Sequence, residues 1–274
     1  MHIQFLESYK NKFLKCLDME FCALASGSSG NCFYVKEGNS AVLIDAGISA
    51  KQILERLSSI KQSPKWIKGI FVTHEHTDHI RGIDVFASKH NIPIYMTKGT
   101  AESSCVCRED NLVNVIKNNE HVKLNGLSVE AFSKSHDAAD PVSYSVSAGG
   151  KRVAVVTDIG FACKNVIDHI SCAHSVILES NHDTKMLEDG NYPIYLKRRI
   201  ASDKGHISNY NAALLLLQHG PKGLKNAMLA HLSENNNTPD IALKTFELLK
   251  ERKDLKVNIK LSLRDSVSEC IKLK

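Results

Sequence analysis

Residues 73–79 read Thr-His-Glu-His-Thr-Asp-His and follow directly on the apolar run Ile-Lys-Gly-Ile-Phe-Val. An apolar run of that length reads as a buried strand, so the polar residues must leave it as a loop at the strand's end. His74 and His76 are two positions apart and can share one metal ion if the loop curls. Asp78 and His79 then point elsewhere and can serve a second. Imidazoles with a carboxylate suit zinc, and iron or manganese less selectively. The alternative is a polar loop that merely collects histidines. Three histidines and an aspartate within six residues, behind an apolar strand, argue against it.

Around this run the chain alternates short strands with helical stretches. FCALAS, CFYVKEG and AVLIDAG read as β runs parted by the turns SGSSGN and GNS. The pattern predicts a helix over about 49–59, the strand IKGIFVTH, a helix over about 80–90 and the strand IPIYMT. HVKL, LSVEAFSKSH, VSYSVSAGG and KRVAVVTDIG read as successive antiparallel runs, with Gly149-Gly150 as a hairpin signal. SVILES is a further buried strand. Ser208 is a candidate N-cap for NYNAALLLLQHG, which stops at Gly220-Pro221. A strand in LKNAMLAHLS, a helix from near Pro239 and the strand VNIKLS follow. No repeat, low-complexity tract or linker divides the chain, so one α/β domain with two sheets and flanking helices is expected.

Of the 274 residues, 43% are apolar and 24% charged, which allows an ordinary globular core. No apolar run approaches the roughly 18–20 residues that span a bilayer, and no membrane partner is expected. The N-terminus is broken by charges and lacks a secretory h-region. Ile3, Leu6, Tyr9, Phe13 and Leu17 fall at roughly helical spacing, so residues 1–18 read as an amphipathic extension dispensable to a catalytic domain over 19–274. Met19 is an alternative start, and the expected location is the cytoplasm. The eight cysteines read as free, mostly buried thiols, and Cys105-Val-Cys107 is too tightly spaced for a zinc clip. A net charge of +5 permits an anionic substrate without demanding one.

The pattern His-x-His-x-Asp-His resembles the signature of the metallo-β-lactamase superfamily. Other positions that family needs are filled in order, each at the end of an expected strand: Asp45 in AVLIDAG, His136 in FSKSH, Asp158 in VAVVTDIG and His231 in AMLAHLS. The resemblance spans about residues 20–265. It implies a four-layered αββα sandwich of two mixed sheets with flanking helices. It also implies two divalent ions per chain, zinc or manganese foremost, with iron or magnesium as alternatives. By resemblance His74, His76 and His136 hold the first ion, and Asp78, His79 and His231 the second. Asp158 bridges them, and Asp45 orients a ligand or the loop. Two such ions about 3.5–4 Å apart hold a bridging water and lower its pKa toward 7, giving a hydroxide nucleophile. Lactams, thioesters and phosphodiesters are all cut on this superfold, which does not choose among them.

Three further segments bear on the substrate: ESNHD, GHIS and HLSENNN. In phosphodiesterase branches such as tRNase Z and the β-CASP nucleases, an acid after a strand pairs with a downstream Gly-His-x-Ser/Thr histidine. Glu179 and His206 match that pair here. A histidine held by a carboxylate can stay protonated, stabilise a pentavalent phosphate and protonate the leaving oxygen. Asp78, Glu179 and His206 are thus the candidate catalytic residues. Glu179 could instead cap a helix or form a salt bridge, His206 could merely precede an N-cap, and His182 reads equally as a surface loop residue. LASGSSGNC, THEHTDH, ESNHD, NYPIYLKRRI, GHISN and HLSENN together look closest to the YycJ (WalJ, VicX) branch. That resemblance implies a 5′-to-3′ exonuclease acting on DNA. The β-CASP insertion and the long tRNA-gripping arm are both missing, which argues against RNase J-like and tRNA-processing roles.

Candidate substrate contacts are Ser26 and Ser28 in the SGSSGN turn, Asn181, and the cluster Lys197, Arg198 and Arg199. A plain hairpin turn and a solvated helix face explain those segments equally well. No aromatic interleaving within the basic cluster suggests base stacking. Two other functions remain open. One is a small-molecule hydrolase acting on a cyclic phosphodiester, thioester or lactone, the last two disfavoured by the Glu179–His206 pair. The other is a scaffold with a vestigial metal site, which would have lost ligands, and none is lost here.

Overall fold

Alternate residues of the first strand belong to different cores, as period-two geometry requires. In β1 (Met19–Ala25), Phe21 and Ala23 face one apolar cluster while Cys22 and Leu24 face another. Strands buried on both faces need continuous apolar runs, which is why Ala41–Ile44 and Val176–Leu178 contain no polar residue. The computed structural model describes residues 18–104, 106, 110–253 and 256–273. Apart from Asp18 the N-terminal extension lies outside the described residues, as do Cys105 and Cys107.

The first sheet contains β1, β2 (Cys32–Glu37), β3 (Ser40–Ile44), β4 (Ile67–Phe71), β5 (Ile94–Thr97) and β6 (Val113–Ile116). The second contains β7 (His121–Leu124), β8 (Leu127–Ser133), β9 (Val142–Ala148), β10 (Lys151–Val156), β11 (Ser175–Glu179), β12 (Asn226–Ala230) and β13 (Asn258–Leu261). The last strand, β14 (Ile271–Leu273), returns to the first sheet beside β1, completing two seven-stranded sheets. Both sheets are mixed. β1–β2–β3 and β7–β8–β9–β10 pair antiparallel, whereas β3–β4–β5–β6 and β10–β11–β12–β13 run parallel. Gly149 and Gly150, at φ 54° and 76°, turn β9 into β10 through the left-handed backbone that glycine favours.

The sheets face one another across Phe21, Phe33, Phe71, Tyr144, Val155 and Met228. Helices α1 (Ala50–Ser59), α2 (Thr77–Ile80), α3 (Ile83–His90) and α4 (Lys98–Ser103) follow strands of the first sheet. Ile53, Leu57 and Phe86 pack on that sheet's outer face. Helices α5 (Lys164–Ser171), α6 (Thr184–Asp189), α7 (Ile194–Ile200), α8 (Asn209–His219) and α9 (Pro239–Lys253) lie in the second half. There Val166, Ala212, Leu216 and Phe246 cover the second sheet's outer face. The result is the expected αββα sandwich of two mixed sheets with flanking helices.

Several local expectations change. The helix expected over 80–90 is interrupted before Ile83, where the Gly82 N–H donates to the Ala46 carbonyl at 2.8 Å instead of continuing the helix. Strands β6 and β14 and helices α4 to α6 were not expected. Helix α5 is preceded by Cys163 at its N-cap, which makes no side-chain capping hydrogen bond, so its start carries no sequence signal. Ser208 does cap α8, accepting the Asn211 N–H at 3.2 Å. No helix of the described residues is long and apolar enough to cross a membrane.

Candidate metal centre

Parallel strands carry their C-terminal ends to one edge of each sheet, and the polar residues gather where those edges meet. Asp45 follows β3, and His74 lies three residues beyond β4. Asp158 follows β10 by two residues, Glu179 ends β11, and His231 follows β12. Asp45, Asp158 and His231 all hold positive φ, at 61°, 55° and 54°. Such backbone is uncommon outside glycine and costs on the order of 1–3 kcal/mol per residue. It turns the chain sharply off each strand at the position where Asp45, Asp158 and His231 themselves stand.

Asp45 is fully buried and organises the histidine loop. Its Oδ1 accepts the Thr73 N–H at 2.8 Å, while Oδ2 accepts the Thr73 hydroxyl at 2.9 Å and faces His79 Nδ1 at 2.7 Å. Across the seam, Tyr144 donates to the Val72 carbonyl at 2.7 Å and the Val142 N–H to the Thr73 carbonyl at 3.0 Å. The loop is therefore pinned from both sheets. Gly47 adds a close approach, since a Cβ there would meet the Asp78 carbonyl oxygen at 1.5 Å.

This frame brings the expected metal residues together. The groups His74–His76–His136, Asp78–His79–His231 and His74–His79–Asp158 each place their ligand atoms within 4.8 Å of one another. Asp158, Glu179, His206 and His231 form a fourth such group. Each expected metal trio takes two residues from the first sheet's loop and one from the second sheet. The donor atoms suit divalent ions. His136 Nδ1 faces the Gly205 carbonyl at 3.2 Å, which leaves Nε2 for a ligand. That Nε2, the Nε2 of His231 and Oδ2 of Asp158 are all buried without a hydrogen-bond partner among the described residues. Leaving such an atom bare costs about 1–3 kcal/mol, and divalent ions bound here would satisfy all three.

Electrostatics supports the same fit. Burial pushes His74 well down and His136 to about 3, so both rings are neutral, as metal ligation requires. Burial would raise Asp78 and Asp158, but His79 and His231 beside them hold both well below the usual carboxylate range. Burial would likewise lower His79 and His231, yet the surrounding carboxylates outweigh it and raise His79 to about 10. A concentration of negative charge able to raise buried histidines is equally able to hold metal cations.

Glu179 sits behind this cluster, fully buried. Oε1 accepts His206 Nδ1 at 2.7 Å and His231 Nδ1 at 3.0 Å, and Oε2 accepts the Ile159 N–H at 2.7 Å. Burial would raise its pKa, but the His206 charge and the hydrogen bonds from both histidines bring it down to about 2. One carboxylate oxygen thus serves both histidines. Their rings lie 5.2 Å apart.

A cavity of about 280 Å³ opens over the cluster, lined by His76, Asp78, His136, Asp158, His206 and His231, with Ser28, Asn181 and Arg199 among its walls. The candidate substrate contacts separate here. Ser26 is buried and its hydroxyl accepts the His231 N–H at 2.8 Å, so it lies beneath the site; Ser28 is exposed on the wall. Asn181 donates to the His231 carbonyl at 2.9 Å. Lys197 donates to the Glu188 carbonyl at 2.6 Å, Arg199 pairs with Asp137 at 3.1 Å, and Arg198 is exposed. His182 is 3% exposed, not a surface residue, and burial takes it to about 4.

Sequence reasoning passed over Asn31, whose Nδ2 lies 3.3 Å from Asp78 Oδ2 and 3.2 Å from His79 Nε2. It stands in the turn whose serines were singled out, so position alone gave no reason to prefer it. Lys134, two residues before His136, was also missed. Its ammonium is buried and donates to the Thr157 carbonyl at 2.8 Å.

Comparison with known proteins agrees with this architecture. Residues 25–196 match the family model described as the metallo-beta-lactamase superfamily. The chain is 34% identical over 258 residues to exodeoxyribonuclease YycJ of Bacillus anthracis, covering 91% of this chain and 96% of that one. It is 32% identical over 257 residues to exodeoxyribonuclease WalJ of Streptococcus pneumoniae, covering 91% and 95%. Among solved structures, the metallo-beta-lactamase fold protein YhfI from Bacillus subtilis superposes with a TM-score of 0.70 at 13% identity, covering 93% of this chain and 100% of the other. By sequence and by fold, the chain belongs to the metallo-β-lactamase superfamily, in its YycJ/WalJ branch.

Proposed function

We propose that this protein is a metal-dependent phosphodiesterase that degrades DNA from a strand end, in the 5′-to-3′ direction. The observation that carries the reading is the Glu179–His206 contact at 2.7 Å, which fixes His206 in the wall of the cavity over the candidate metal ligands. The names of the YycJ and WalJ relatives, which the chain matches over nearly its whole length, support DNA as the substrate.

His74, His76 and His136 would hold one divalent ion and Asp78, His79 and His231 the other, with Asp158 between them. When bound, such a pair supplies a water acidic enough to attack at neutral pH and positive charge for the phosphate oxygens. The chain's residues do the rest. Glu179 engages His206 Nδ1, so Nε2 is the ring nitrogen left to meet substrate in the cavity. A proton held there is available to the leaving oxygen as the bond to phosphorus breaks. Glu179 also fixes His231 through Nδ1, which leaves Nε2 for a metal. Asp45 and Asn31 hold His79 and Asp78 in place.

Location and metal identity extend the reading. The described cysteines, Cys22, Cys32, Cys163, Cys172 and Cys270, are all free thiols, which fits a cytoplasmic protein. Zinc or manganese suits the donor set best.

The test is metal-stripped protein on 5′-labelled double-stranded DNA, with zinc, manganese and magnesium each added back and His76→Ala as control. Metal-dependent shortening that disappears in the variant is expected, and the label reports which end is attacked. Two bound ions without cleavage under any metal would reject the DNA reading. The small cavity also suits a cyclic phosphodiester, and turnover of that substrate alone would favour the small-molecule alternative.

A further inference from the structure

At the edge of the first sheet, away from the metal cluster, the chain brings two thiols together. The β1–β14 register runs Met19↔Leu273, Glu20↔Lys272 and Phe21↔Ile271, so the next rung sets Cys22 opposite Cys270. Alternate residues of a strand share a face, which puts Cys22 and Cys270 on the face that carries Glu20 and Lys272. Those two side chains meet across the strands, Lys272 Nζ lying 3.1 Å from Glu20 Oε1. Opposite residues of an antiparallel pair have Cα atoms about 4.5–5.5 Å apart, inside the span of about 4.4–6.8 Å that a disulfide bridges. Cys22 is fully buried, whereas Cys270 is half-buried and lines a groove of about 410 Å³ with Glu20, Tyr34, Lys36, Lys61 and Lys272. The two thiols are hydrogen-bonded to each other. That bond, with burial, pushes Cys22 well above the usual thiol range. The same bond takes Cys270 below it, Lys36 and Lys272 assisting against burial and Glu20. An accessible thiol biased toward thiolate, with a second thiol in reach, is the arrangement that oxidants attack first.

We propose that Cys22 and Cys270 are an oxidation site, forming a reversible disulfide that staples the C-terminal strand to β1. With hydrogen peroxide as oxidant, the Cys270 thiolate attacks one peroxide oxygen, the O–O bond breaks, and a sulfenic acid forms as hydroxide leaves. Cys22 then gives up its proton and attacks the Cys270 sulfur; the S–O bond breaks, the S–S bond forms and water departs. In balance the two thiols lose two electrons and two protons, and peroxide is reduced to two waters. A dithiol reverses the step by exchange. The staple matters because β14 has only three residues, and the segment leading to it reaches the metal centre. The Ser268 N–H donates to the Ala23 carbonyl at 2.9 Å, and its hydroxyl accepts the Ala23 N–H at 2.9 Å. Further back, the Leu263 carbonyl accepts the Ser26 N–H at 3.2 Å, and Ser26 in turn accepts the His231 N–H. Arg264 donates to the Leu232 carbonyl at 3.2 Å. Fraying of β14 thus loosens the turn beneath a candidate metal ligand, and the disulfide prevents it. Joining residues 22 and 270 also closes nearly the whole chain into one loop, where a cross-link removes most freedom from the unfolded state.

The experiment treats the full chain with hydrogen peroxide, blocks the remaining thiols with iodoacetamide in denaturant, and maps a chymotryptic digest by tandem mass spectrometry without reductant. Cleavage after Phe21 and Leu24 separates Cys22 from Cys16 and Cys32. A linked Cys22–Cys270 peptide that vanishes on treatment with dithiothreitol is expected. The oxidised protein should melt about 10 °C above the reduced protein, and Cys270→Ser and Cys22→Ala should each remove that difference. The peptide map needs no substitution, so it stands even where a variant fails to fold. Recovery of Cys22 and Cys270 as alkylated thiols overturns the pairing. So does Cys270 found only as sulfinic acid or bonded to another cysteine. A linked pair with no rise in melting temperature overturns the staple.

Discussion

Glu179 illustrates how much one side chain can coordinate, since a single oxygen receives both His206 and His231. The two histidines have different proposed tasks, and substitutions should separate them. His206→Ala is expected to lower kcat for phosphodiester cleavage by about 10²–10⁴ while metal content stays at two ions. Glu179→Ala should lower kcat similarly and also weaken metal retention by about 10–100-fold, because His231 loses its outer hydrogen bond. Metal analysis beside steady-state kinetics decides; equal metal loss in both variants would remove His206 from the role of proton donor. A pH dependence follows from the same residues. In metal-free protein His79 is raised to about 10, burial opposing but Asp158, Asp45 and Asp78 prevailing. A folded-state pKa above the usual value of about 6.5 stabilises fully below that pH and is lost as pH rises through about 10. Glu179 contributes oppositely, stabilising above about 4.3 and losing that contribution as pH falls through about 2. Thermal melts in chelator should therefore decline between about pH 6.5 and 10, and metal uptake should release protons there; a flat profile would contradict this. At this scale the candidate ligands were legible because histidine and aspartate advertise their chemistry. Asn31 and Lys134 were not, since their importance lies only in what the fold places beside them.

Among the elements, the loops matter as much as the strands that deliver them. Gly47 shows why: its backbone lies against the Asp78 carbonyl, and a Cβ would need space that the metal loop fills. Gly47→Ala is expected to destabilise the protein by about 3 kcal/mol or more, as overpacking does, and to displace Asp78 and His79. Denaturant titration together with metal content checks both effects, and a variant of unchanged stability and loading would show that the loop can shift at little cost. Strands such as β3, β10 and β11 were readable from continuous apolar runs ended by a turn or an acid. Strand β14 was not, because three residues carry no usable period and its pairing with β1 joins opposite ends of the chain. The cations of helix α7 read from sequence equally as substrate contacts and as a solvated helix face. Its position at the cavity depends on packing after α6, which no local pattern encodes.

For the molecule as a whole, the arrangement of two sheets was legible from the order of strands and helices together with the family resemblance. What the sequence could not convey is that both sheets turn the C-terminal ends of their parallel strands toward one seam. The first sheet brings the histidine loop to that seam; the second brings His136, Asp158, Glu179 and His231. Neither half possesses a complete binding set for either proposed ion. Activity is therefore a property of the contact between halves, and it is extinguished by any sliding of one against the other even while each keeps its own hydrogen-bonded ladder. Such a hydrolase carries its own proofreading of assembly: a chain whose halves have not yet met has no working centre with which to cut the nucleic acid around it.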